Sequence, residues 1–491
     1  MKNTAPIHHN IPTFCAIALF LLNIFGWATA DLWYDEVLTL RLFVLPKESL
    51  GAIFRDYCIA NNHFLNSAIA WLWLKLPFVN IGSELSLRLP SILFACGTLL
   101  IIALYWQKWV GAKLANMMAF LFALSPVFAA FAYQLRGYSL AMFLATAAVS
   151  AAYARHLRTS WRNGSALFIF SLLLPFTMPS AGMVGGALTI ALFFGHDWRL
   201  FSWANIRRAL PCFLGTALGC AYYLTIWEQF QYARIDAGGW TSGIEAFCHI
   251  VGPFALHLGV FLAGFLTLAC KRLRIQTNET DKSARFAWFL TCASLLIIVA
   301  LLSLPSASGR VPFPRVFLVL LPIFSFAAAL LAHHSKLELL SSRALFAAVA
   351  LPAVVIILTT NAINRYMLSH RMTPPQNLLV QYYRGQSPAS ALLYRLQQLQ
   401  ENDTIPAEPQ IVVSPYDAPA IEYYWLLSGR EISYRNGTHA ILQSTRLNGA
   451  LPAHKRVYFY LRRPEAAELS AHYKFTLIES IDNHVLLYAT L

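Results

Sequence analysis

Long apolar runs recur from the N-terminus of the chain to about Thr360, and they restrict its fold more than any other feature. Each run holds roughly 17 to 25 residues, which is enough for an α-helix to cross the ~30 Å hydrocarbon core of a bilayer. Only 12% of the 491 residues are charged, whereas an average soluble protein has about 25%. We therefore predict a polytopic α-helical membrane protein.

The apolar runs predict about eleven transmembrane helices. The first run is long and lacks a small-residue cleavage site, so we expect it to remain in the protein as helix 1 rather than to be removed as a signal peptide. The fifth and sixth runs are short and meet near Pro179. The predicted spans are 11–30, 88–106, 114–132, 138–154, 165–178, 180–195, 210–227, 245–269, 286–303, 315–332 and 344–360.

Basic residues are concentrated in alternate loops between the predicted spans. The richer loops contain Lys108, Lys113, Arg155, Arg158, Arg162, Arg199, Arg207, Arg208, Lys271, Arg272, Arg274, Lys282, Arg285, Lys336 and Arg343. The positive-inside bias makes these loops cytoplasmic. It places the N-terminus in the cytoplasm, and the first loop and the C-terminus outside the bacterial inner membrane. The opposite loops carry chiefly Arg136, Arg234, Arg310 and Arg315.

The net charge of +14 has two readings, nucleic-acid binding and membrane orientation. In a polytopic protein the excess of cations sets orientation and attracts anionic headgroups, so we predict no nucleic-acid partner.

Two segments lack the composition of membrane helices. Residues 31–87 form a long first outer loop, in which Val37 to Tyr57 and Phe64 to Leu76 are predicted as helices lying in the interface. After Thr360 the chain becomes polar, which predicts a transmembrane domain over residues 1–360 and a small soluble α/β domain over residues 361–491. The predicted strands of this second domain are Gln410–Ser414, Arg456–Leu461 and His484–Tyr488, and its predicted helices are Ala389–Leu399 and Pro419–Leu427.

Two adjacent carboxylates, Asp35 and Glu36, follow the first predicted membrane helix. Ionisable side chains at a bilayer boundary are costly and usually functional. The pair therefore favours an enzyme whose substrate is partly lipid and partly water-soluble. The alternative is that the acidic residues only end helix 1 in water.

Several short motifs, in this order along the chain, resemble the GT-C superfamily of polyprenyl-phosphate-sugar glycosyltransferases. They are Trp33-Tyr34-Asp35-Glu36, Asn62-His63-Phe64-Leu65-Asn66, Ser86-Leu87-Arg88-Leu89-Pro90-Ser91, Ser125-Pro126 and Gln134-Leu135-Arg136-Gly137-Tyr138-Ser139. The resemblance is to the bacterial relatives of protein O-mannosyltransferases and of the lipid A aminoarabinose transferase, and it covers residues 10–330. It implies a GT-C-like fold and inverting transfer of a sugar from a polyprenyl-phosphate donor to an acceptor hydroxyl.

The sequence departs from this family at two positions. Relatives often have a His-Pro-Pro-like element in the first loop, where this chain has His63-Phe64-Leu65. They also commonly carry a Thr-His pair near the fifth and sixth helices, where Met178 follows Thr177 here.

The proposed reaction needs a base for the acceptor hydroxyl and cations for the departing phosphate. A positioned carboxylate contributes about 10²–10⁴-fold as a general base, and both the residues and the resemblance assign this role to Asp35. Glu36 then orients the acceptor, holds a cation or raises the pKa of Asp35. Arg136 is assigned to the lipid phosphate because a guanidinium pairs bidentately with it. The alternative for Arg136 is a side chain that anchors a helix end.

The remaining substrate-binding candidates have structural alternatives. Arg310 and Arg315 are weaker candidates than Arg136 for binding the phosphate, and Arg88 fits an interface anchor equally well. His63, beside Asn62, binds the acceptor or a cation, or is a hydrogen-bonded loop residue. Tyr138, like Tyr133, Tyr222, Tyr223 and Trp227, stacks on a sugar ring or belongs to an interfacial aromatic belt.

No cofactor is predicted from the motifs. The chain lacks metal-ligand spacing, a Walker sequence and a Rossmann glycine motif, and a divalent cation stays an open alternative. The acceptor, whether glycan, lipid or protein, is also left open.

Two other classes compete with this hypothesis. A lipid-linked sugar flippase or other transporter is expected to have repeated halves and charged or Pro/Gly-broken segments near the middle of the membrane. A glycan polymerase or ligase is expected to carry its large outer loop late in the chain. Here the ionisable residues cluster at one surface and the loop follows helix 1, which favours the glycosyltransferase.

Overall fold

The computed structural model describes residues 11–59, 62–195, 202–232, 282–308, 314–334, 389–402, 411–414, 417–427, 441–443, 456–481 and 484–490. The chain divides into two compact units. The first comprises Met1–Ala28, Lys47–Val79 and Leu85–Thr359, and the second Thr29–Pro46, Asn80–Glu84 and Thr360–Leu491.

Most of the described chain is helical. The α-helices are α1 (Ile11–Ala28), α2 (Tyr34–Leu38), α3 (Leu50–Arg55), α4 (Phe64–Trp73), α5 (Glu84–Leu100), α6 (Gln107–Leu124), α7 (Pro126–Ala132), α8 (Tyr138–Leu157), α9 (Trp161–Thr177), α10 (Gly182–Phe194), α11 (Trp203–Ala221), α12 (Trp227–Tyr232), α13 (Lys282–Ser308), α14 (Leu321–His334), α15 (Ala389–Glu401), α16 (Ala418–Leu427) and α17 (Arg463–Leu469). Thr39–Val44 and Ile101–Tyr105 are π-helical, and Pro179–Ala181, Tyr222–Ile226 and Pro314–Leu320 form 3-10 turns.

Four helical stretches of the described residues are long and apolar enough to cross a membrane. They are Ile11–Ala28, Glu84–Tyr105, Tyr138–Leu157 and Trp203–Gln231. Shorter apolar helices cover Phe64–Trp73, Pro179–Phe194, Arg285–Ala300 and Phe317–His333. The predicted spans 245–269 and 344–360 lie outside the described residues.

The long helices differ in how much of their surface they bury. On α1, Phe20 is fully buried, whereas Phe14 is 65% and Leu22 75% exposed. By contrast, most side chains of α8 are buried. Lipid tails are as apolar as leucine, so an exposed apolar face on α1 and a buried α8 are what a lipid-surrounded helical bundle requires.

Glycines allow α9 and α11 to pack at close range. A Cβ atom at Gly215 would lie 2.4 Å from the carbonyl oxygen of Phe168, and one at Gly219 would lie 2.6 Å from that of Leu172. Small residues at such crossings are typical of membrane helices, where backbone approach replaces hydrophobic driving force.

The predicted span 114–132 is not one helix but two, α6 and α7, which meet at Ser125. The Ser125 Oγ accepts a hydrogen bond from the backbone N–H of Phe128 at 3.3 Å, and Pro126 is the first residue of α7. Serine as N-cap followed by proline is a strong helix start. The prediction of a continuous helix was therefore wrong.

The predicted interfacial helix from Val37 to Tyr57 is also interrupted. It consists of α2, the π-helical turn Thr39–Val44 and α3, and Ser49 caps α3 through the backbone N–H of Ala52. The second predicted interfacial helix corresponds to α4.

The second unit contains a five-stranded mixed sheet in the order β2-β1-β3-β5-β4. Its strands are β1 (Ile411–Val413), β2 (Ile441–Gln443), β3 (Arg456–Arg462), β4 (Thr476–Ile481) and β5 (His484–Thr490). β1 pairs in parallel with β2 and β3, and β5 pairs antiparallel with β3 and β4. The predicted strands coincide with β1, β3 and β5, and the predicted helices with α15 and α16.

Alternate residues of the sheet form its core. Val412, Val457, Phe459, Leu461 and Leu487 are buried together, since successive side chains of a strand point to opposite faces.

Candidate functional site

The turn between α7 and α8 brings a buried arginine and a histidine of the first loop into one cluster within the first unit. Arg136 is 2% exposed. The backbone N–H of the next residue, Gly137, donates a 2.8 Å hydrogen bond to Nδ1 of His63 at the start of α4. A Cβ atom at Gly137 would lie 2.7 Å from that nitrogen and 2.9 Å from the carbonyl oxygen of Thr177. Only glycine leaves room for this approach.

His63 is neutral in this environment. Burial lowers its pKa well below the ordinary value of 6.5, and the positive charges of Arg136 and Arg315 lower it further. Because Nδ1 accepts the Gly137 N–H, the ring proton resides on Nε2. The imidazole therefore presents a hydrogen-bond donor.

Tyr138 links the arginine and the histidine. Its ring meets the His63 ring edge to face, with 5.3 Å between centroids. The Arg136 guanidinium lies 5.5 Å from the Tyr138 centroid, and Nη2 of Arg136 donates to the tyrosine hydroxyl at 3.4 Å. The aromatic ring holds the guanidinium in a fixed direction.

An aromatic cluster adjoins these residues in the first unit. Phe64, directly after His63, packs with Tyr57, Tyr223 and Ile226. Burial raises the pKa of Tyr57, and the charge of Arg136 opposes that rise. The cluster thus places buried aromatic side chains beside the positive charge of Arg136.

Arg315 lies in the 3-10 turn Pro314–Leu320 and is half-buried. Its charge acts on the same histidine as that of Arg136. The structure therefore brings together three predicted residues, His63, Arg136 and Tyr138, and the charge of Arg315 acts on the same histidine. Arg310 lies outside the described residues.

Two further predicted residues make contacts that fix local structure. Arg88 is fully buried, and its Nη1 donates to the carbonyl oxygens of Trp27 at 3.0 Å and Ala28 at 3.2 Å, at the end of α1. Asn62 Nδ2 donates to the carbonyl oxygen of Ile53, and Asn62 Oδ1 accepts from the Ser67 hydroxyl. The Arg88 contacts hold the end of α1, and the Asn62 contacts hold the loop before α4.

Asp35 and Glu36 belong to the second unit and differ in environment. Glu36 is fully buried, and its Oε2 accepts the backbone N–H of Trp33 at 2.9 Å. This bond completes one half of a capping box at the start of α2. Asp35 is half-buried on the same short helix. Of the two carboxylates, Asp35 is the more accessible.

Metal binding was left open by the sequence. Within the part of the chain that the structure describes, no group of three or more His, Cys, Asp or Glu side chains could hold a metal ion.

Sequence reasoning missed Tyr57, which lies beside the histidine's aromatic neighbours. No motif contains it, and its only signal is a position shortly before Asn62. It also missed the backbone N–H of Gly137 as a partner for His63, because a side-chain pattern does not report backbone donors.

No family model matches the sequence, and no curated protein matches it. Among solved structures, the chain is similar to ArnT from Cupriavidus metallidurans in the apo state, with a TM-score of 0.52, 12% identity and 97% of each chain covered. It is similar to the same protein bound to undecaprenyl phosphate, with a TM-score of 0.50, 13% identity and 97% of each chain covered. A third match is the Archaeoglobus fulgidus oligosaccharyltransferase in complex with Zn and sulfate, with a TM-score of 0.44 and 14% identity over 84% of this chain and 61% of that chain. The similarity to ArnT shows a shared fold.

Proposed function

We propose that the chain is a membrane glycosyltransferase that moves a sugar from a polyprenyl-phosphate donor to an acceptor hydroxyl. The observation that carries this proposal is the cluster of buried Arg136, Tyr138 and His63, which the Gly137–His63 hydrogen bond and the ring contacts of Tyr138 hold together. The charge of Arg315 acts on the same histidine. ArnT, which shares the fold, has been crystallised bound to undecaprenyl phosphate. The reaction is proposed to occur at the outer face of the bacterial inner membrane, with the N-terminus in the cytoplasm.

The arginines are proposed to bind the phosphate of the donor and to stabilise it as it leaves. Guanidinium groups bind phosphate oxygens bidentately, and a preformed positive site stabilises charge that develops in the transition state. The Nε2–H of His63 supplies a neutral donor to the same anion.

Asp35 is proposed as the general base of an inverting displacement. It takes the proton of the acceptor hydroxyl while the acceptor oxygen forms a bond to the anomeric carbon. The bond from that carbon to the phosphate oxygen breaks, and the polyprenyl phosphate leaves with the electron pair. Glu36 instead positions α2, because its carboxylate is occupied by the Trp33 N–H.

The base assignment is tested by Asp35→Asn in a membrane assay with a polyprenyl-phosphate-sugar donor. We expect turnover to fall by at least about 10²-fold, with the protein still inserted and folded. Glu48→Gln changes an exposed carboxylate of the same loop and should leave turnover unchanged. If Asp35→Asn retains turnover close to that of Glu48→Gln, Asp35 is not the base.

The phosphate assignment is tested by Arg136→Ala and by competition with undecaprenyl phosphate. Removal of one charge-assisted contact costs about 1.5–3 kcal/mol, so the competing lipid should bind about 10- to 150-fold more weakly. Arg158→Ala removes an exposed arginine and serves as the control. Unchanged affinity for undecaprenyl phosphate in Arg136→Ala would rule out this role.

A further inference from the structure

The segment that carries Asp35 and Glu36 belongs to the same compact unit as the C-terminal sheet. The unit includes Thr29–Pro46 and Asn80–Glu84, two separate stretches of the first outer loop. Both stretches are contacted by α16, the helix that follows β1. Three consecutive residues of α16 make these contacts, namely Glu422, Tyr423 and Tyr424.

Tyr424 joins the two stretches through one hydroxyl group. Its oxygen accepts the backbone N–H of Leu32 at 2.7 Å and donates to Oε1 of Glu84 at 2.9 Å. The hydroxyl and the Leu32 end of this bridge are protected from water, since Leu32 is fully buried and Tyr424 is 8% exposed, whereas Glu84 is half-buried. Burial raises the pKa of Tyr424, and the charges of Asp31 and Glu84 raise it further. The hydroxyl thus keeps the proton that it donates.

The neighbouring residues of α16 extend the same contact. The Tyr423 hydroxyl donates to the carbonyl oxygen of Ile81 at 3.2 Å. Glu422 forms an ion pair with Arg41, in the π-helical turn directly after α2. Leu32 and Arg41 lie on opposite sides of Asp35 along the chain, so α16 holds the backbone both before and after the proposed base.

The other end of α16 is fixed to the sheet. Asp417, directly before α16, binds Arg462 at the end of β3 through two hydrogen bonds of 3.1 and 3.2 Å. It also contacts Nε2 of His484 at the start of β5, at 3.0 Å. Asp417 is 2% exposed, the Arg462 side chain is 42% exposed, and a bidentate pair of this kind fixes geometry. Helix α16 therefore connects the first-loop contacts to the strands β3 and β5.

We propose that α16 is the element by which the C-terminal sheet positions Asp35, with Tyr424 as its main positioning residue. This inference rests on the proposed function, in which Asp35 is the base. A displacement of about 1 Å at a reacting group can cost about 10²-fold in rate. A short helix of one and a half turns, such as α2, has little stability of its own, so its direction depends on what it packs against.

Tyr424→Phe tests the inference with a structural and a kinetic measurement. The variant keeps the ring and removes the hydroxyl bridge between Leu32 and Glu84. One such hydrogen bond contributes about 0.5–1.5 kcal/mol, so amide hydrogen exchange of residues 30–38 should become about 2- to 12-fold faster. We expect kcat to fall by a similar factor with the KM for the polyprenyl-phosphate-sugar donor unchanged, because the phosphate ligands lie in the first unit. Tyr394→Phe removes a hydroxyl from a 65% exposed tyrosine of α15 and should alter neither quantity.

A charge exchange at Arg41 and Glu422 gives an independent test. Glu422→Arg alone should accelerate exchange of residues 30–38 and lower kcat, because two like charges then face each other. The double variant Arg41→Glu, Glu422→Arg restores an ion pair and should recover at least half of both losses. If the double variant recovers neither the slow hydrogen exchange of residues 30–38 nor kcat, Glu422 does not act by holding the loop through Arg41.

The outcomes separate this inference from the proposed function. Unchanged exchange in Tyr424→Phe overturns the positioning role whatever the activity of Asp35→Asn. Faster exchange with normal kcat also overturns it, because the held segment would then not matter for turnover. Faster exchange with lowered kcat supports it, and if Asp35→Asn nevertheless keeps full turnover, the failure lies in the choice of Asp35 as the base.

Discussion

The neutral ring of His63 determines what this residue can contribute. Its Nδ1 is used by the Gly137 N–H and its Nε2 carries the proton, so neither nitrogen offers a lone pair to a cation. Burial, with Arg136 and Arg315, opposes a second proton. The cation-binding hypothesis for His63 is thereby disfavoured, and a role as a donor to an anion is favoured.

The same environment predicts a loss of stability in acid. The pKa of His63 is lower in the folded than in the unfolded state, so the unfolded chain binds the additional proton first as the pH falls. The stabilisation of the folded state by the neutral His63 ring is fully present above about pH 6.5. Below that pH it is lost at about 1.4 kcal/mol per pH unit, until the folded-state pKa is reached.

Thermal unfolding of the detergent-solubilised protein between about pH 7.5 and pH 5 measures this effect. His63→Gln should reduce the dependence of the unfolding temperature on pH, whereas His472→Gln, at an exposed position, should not. An identical acid loss in His63→Gln and the wild type would contradict the assignment of the effect to His63.

The residues of the candidate site could be named from the sequence, but their partners could not. Arg136, Gly137 and Tyr138 form one continuous motif, and its order along the chain sufficed to select them. Asn62 was selected in the same way, yet its amide holds the carbonyl oxygens of Ile53 and Asp56. Such contacts depend on where the backbone of the loop turns, which side-chain spacing does not reveal.

At the scale of elements, helix ends explain where the sequence succeeded and failed. The Ser125-Pro126 pair contained the signal for the break between α6 and α7, namely an N-cap followed by proline at the first helical position. Continuous apolarity across residues 114–132 concealed it. In the first loop, α2 has only five residues, and no periodicity can identify a helix so short.

Arg88 provides a prediction about a helix end. Its guanidinium caps the C-terminus of α1 at the carbonyl oxygens of Trp27 and Ala28, and it lies 5.2 Å from the ring centroid of Tyr133. Hydrogen bonds from charged groups contribute about 1.5–3 kcal/mol, so Arg88→Ala should lower the free energy of unfolding by about that amount. Arg88→Lys should recover less than half, because an ammonium cannot reproduce the planar fork.

The measurement is the midpoint of thermal unfolding, with Arg158→Ala as the exposed control, which should change stability by less than about 0.5 kcal/mol. Normal unfolding of Arg88→Ala together with weaker binding of undecaprenyl phosphate would instead support the substrate-binding role that the sequence also allowed.

At the scale of the whole molecule, composition alone predicted a helical membrane protein, because the hydrocarbon core requires long apolar helices with satisfied backbone groups. It did not predict that stretches of the first loop belong to the same compact unit as the C-terminal sheet. That association depends on single hydroxyl and carboxylate contacts made by α16, far along the chain from Leu32 and Glu84. Local patterning contains no signal for such contacts.

The positions of Lys75 and Arg158 test the arrangement of the first unit across the membrane. Between them the chain forms α5 with its π-helical extension, then α6 and α7 together, and then α8. If each of these three crosses the bilayer, the two positions lie on opposite sides, with Lys75 outside and Arg158 in the cytoplasm according to the positive-inside bias. Both residues are exposed.

In a variant without native cysteines, a membrane-impermeant thiol reagent should label Lys75→Cys in intact spheroplasts and Arg158→Cys only after permeabilisation. Labelling of both before permeabilisation would mean that the α6–α7 pair, broken at Ser125, does not cross, and Arg136 would then lie on the face opposite to the one proposed.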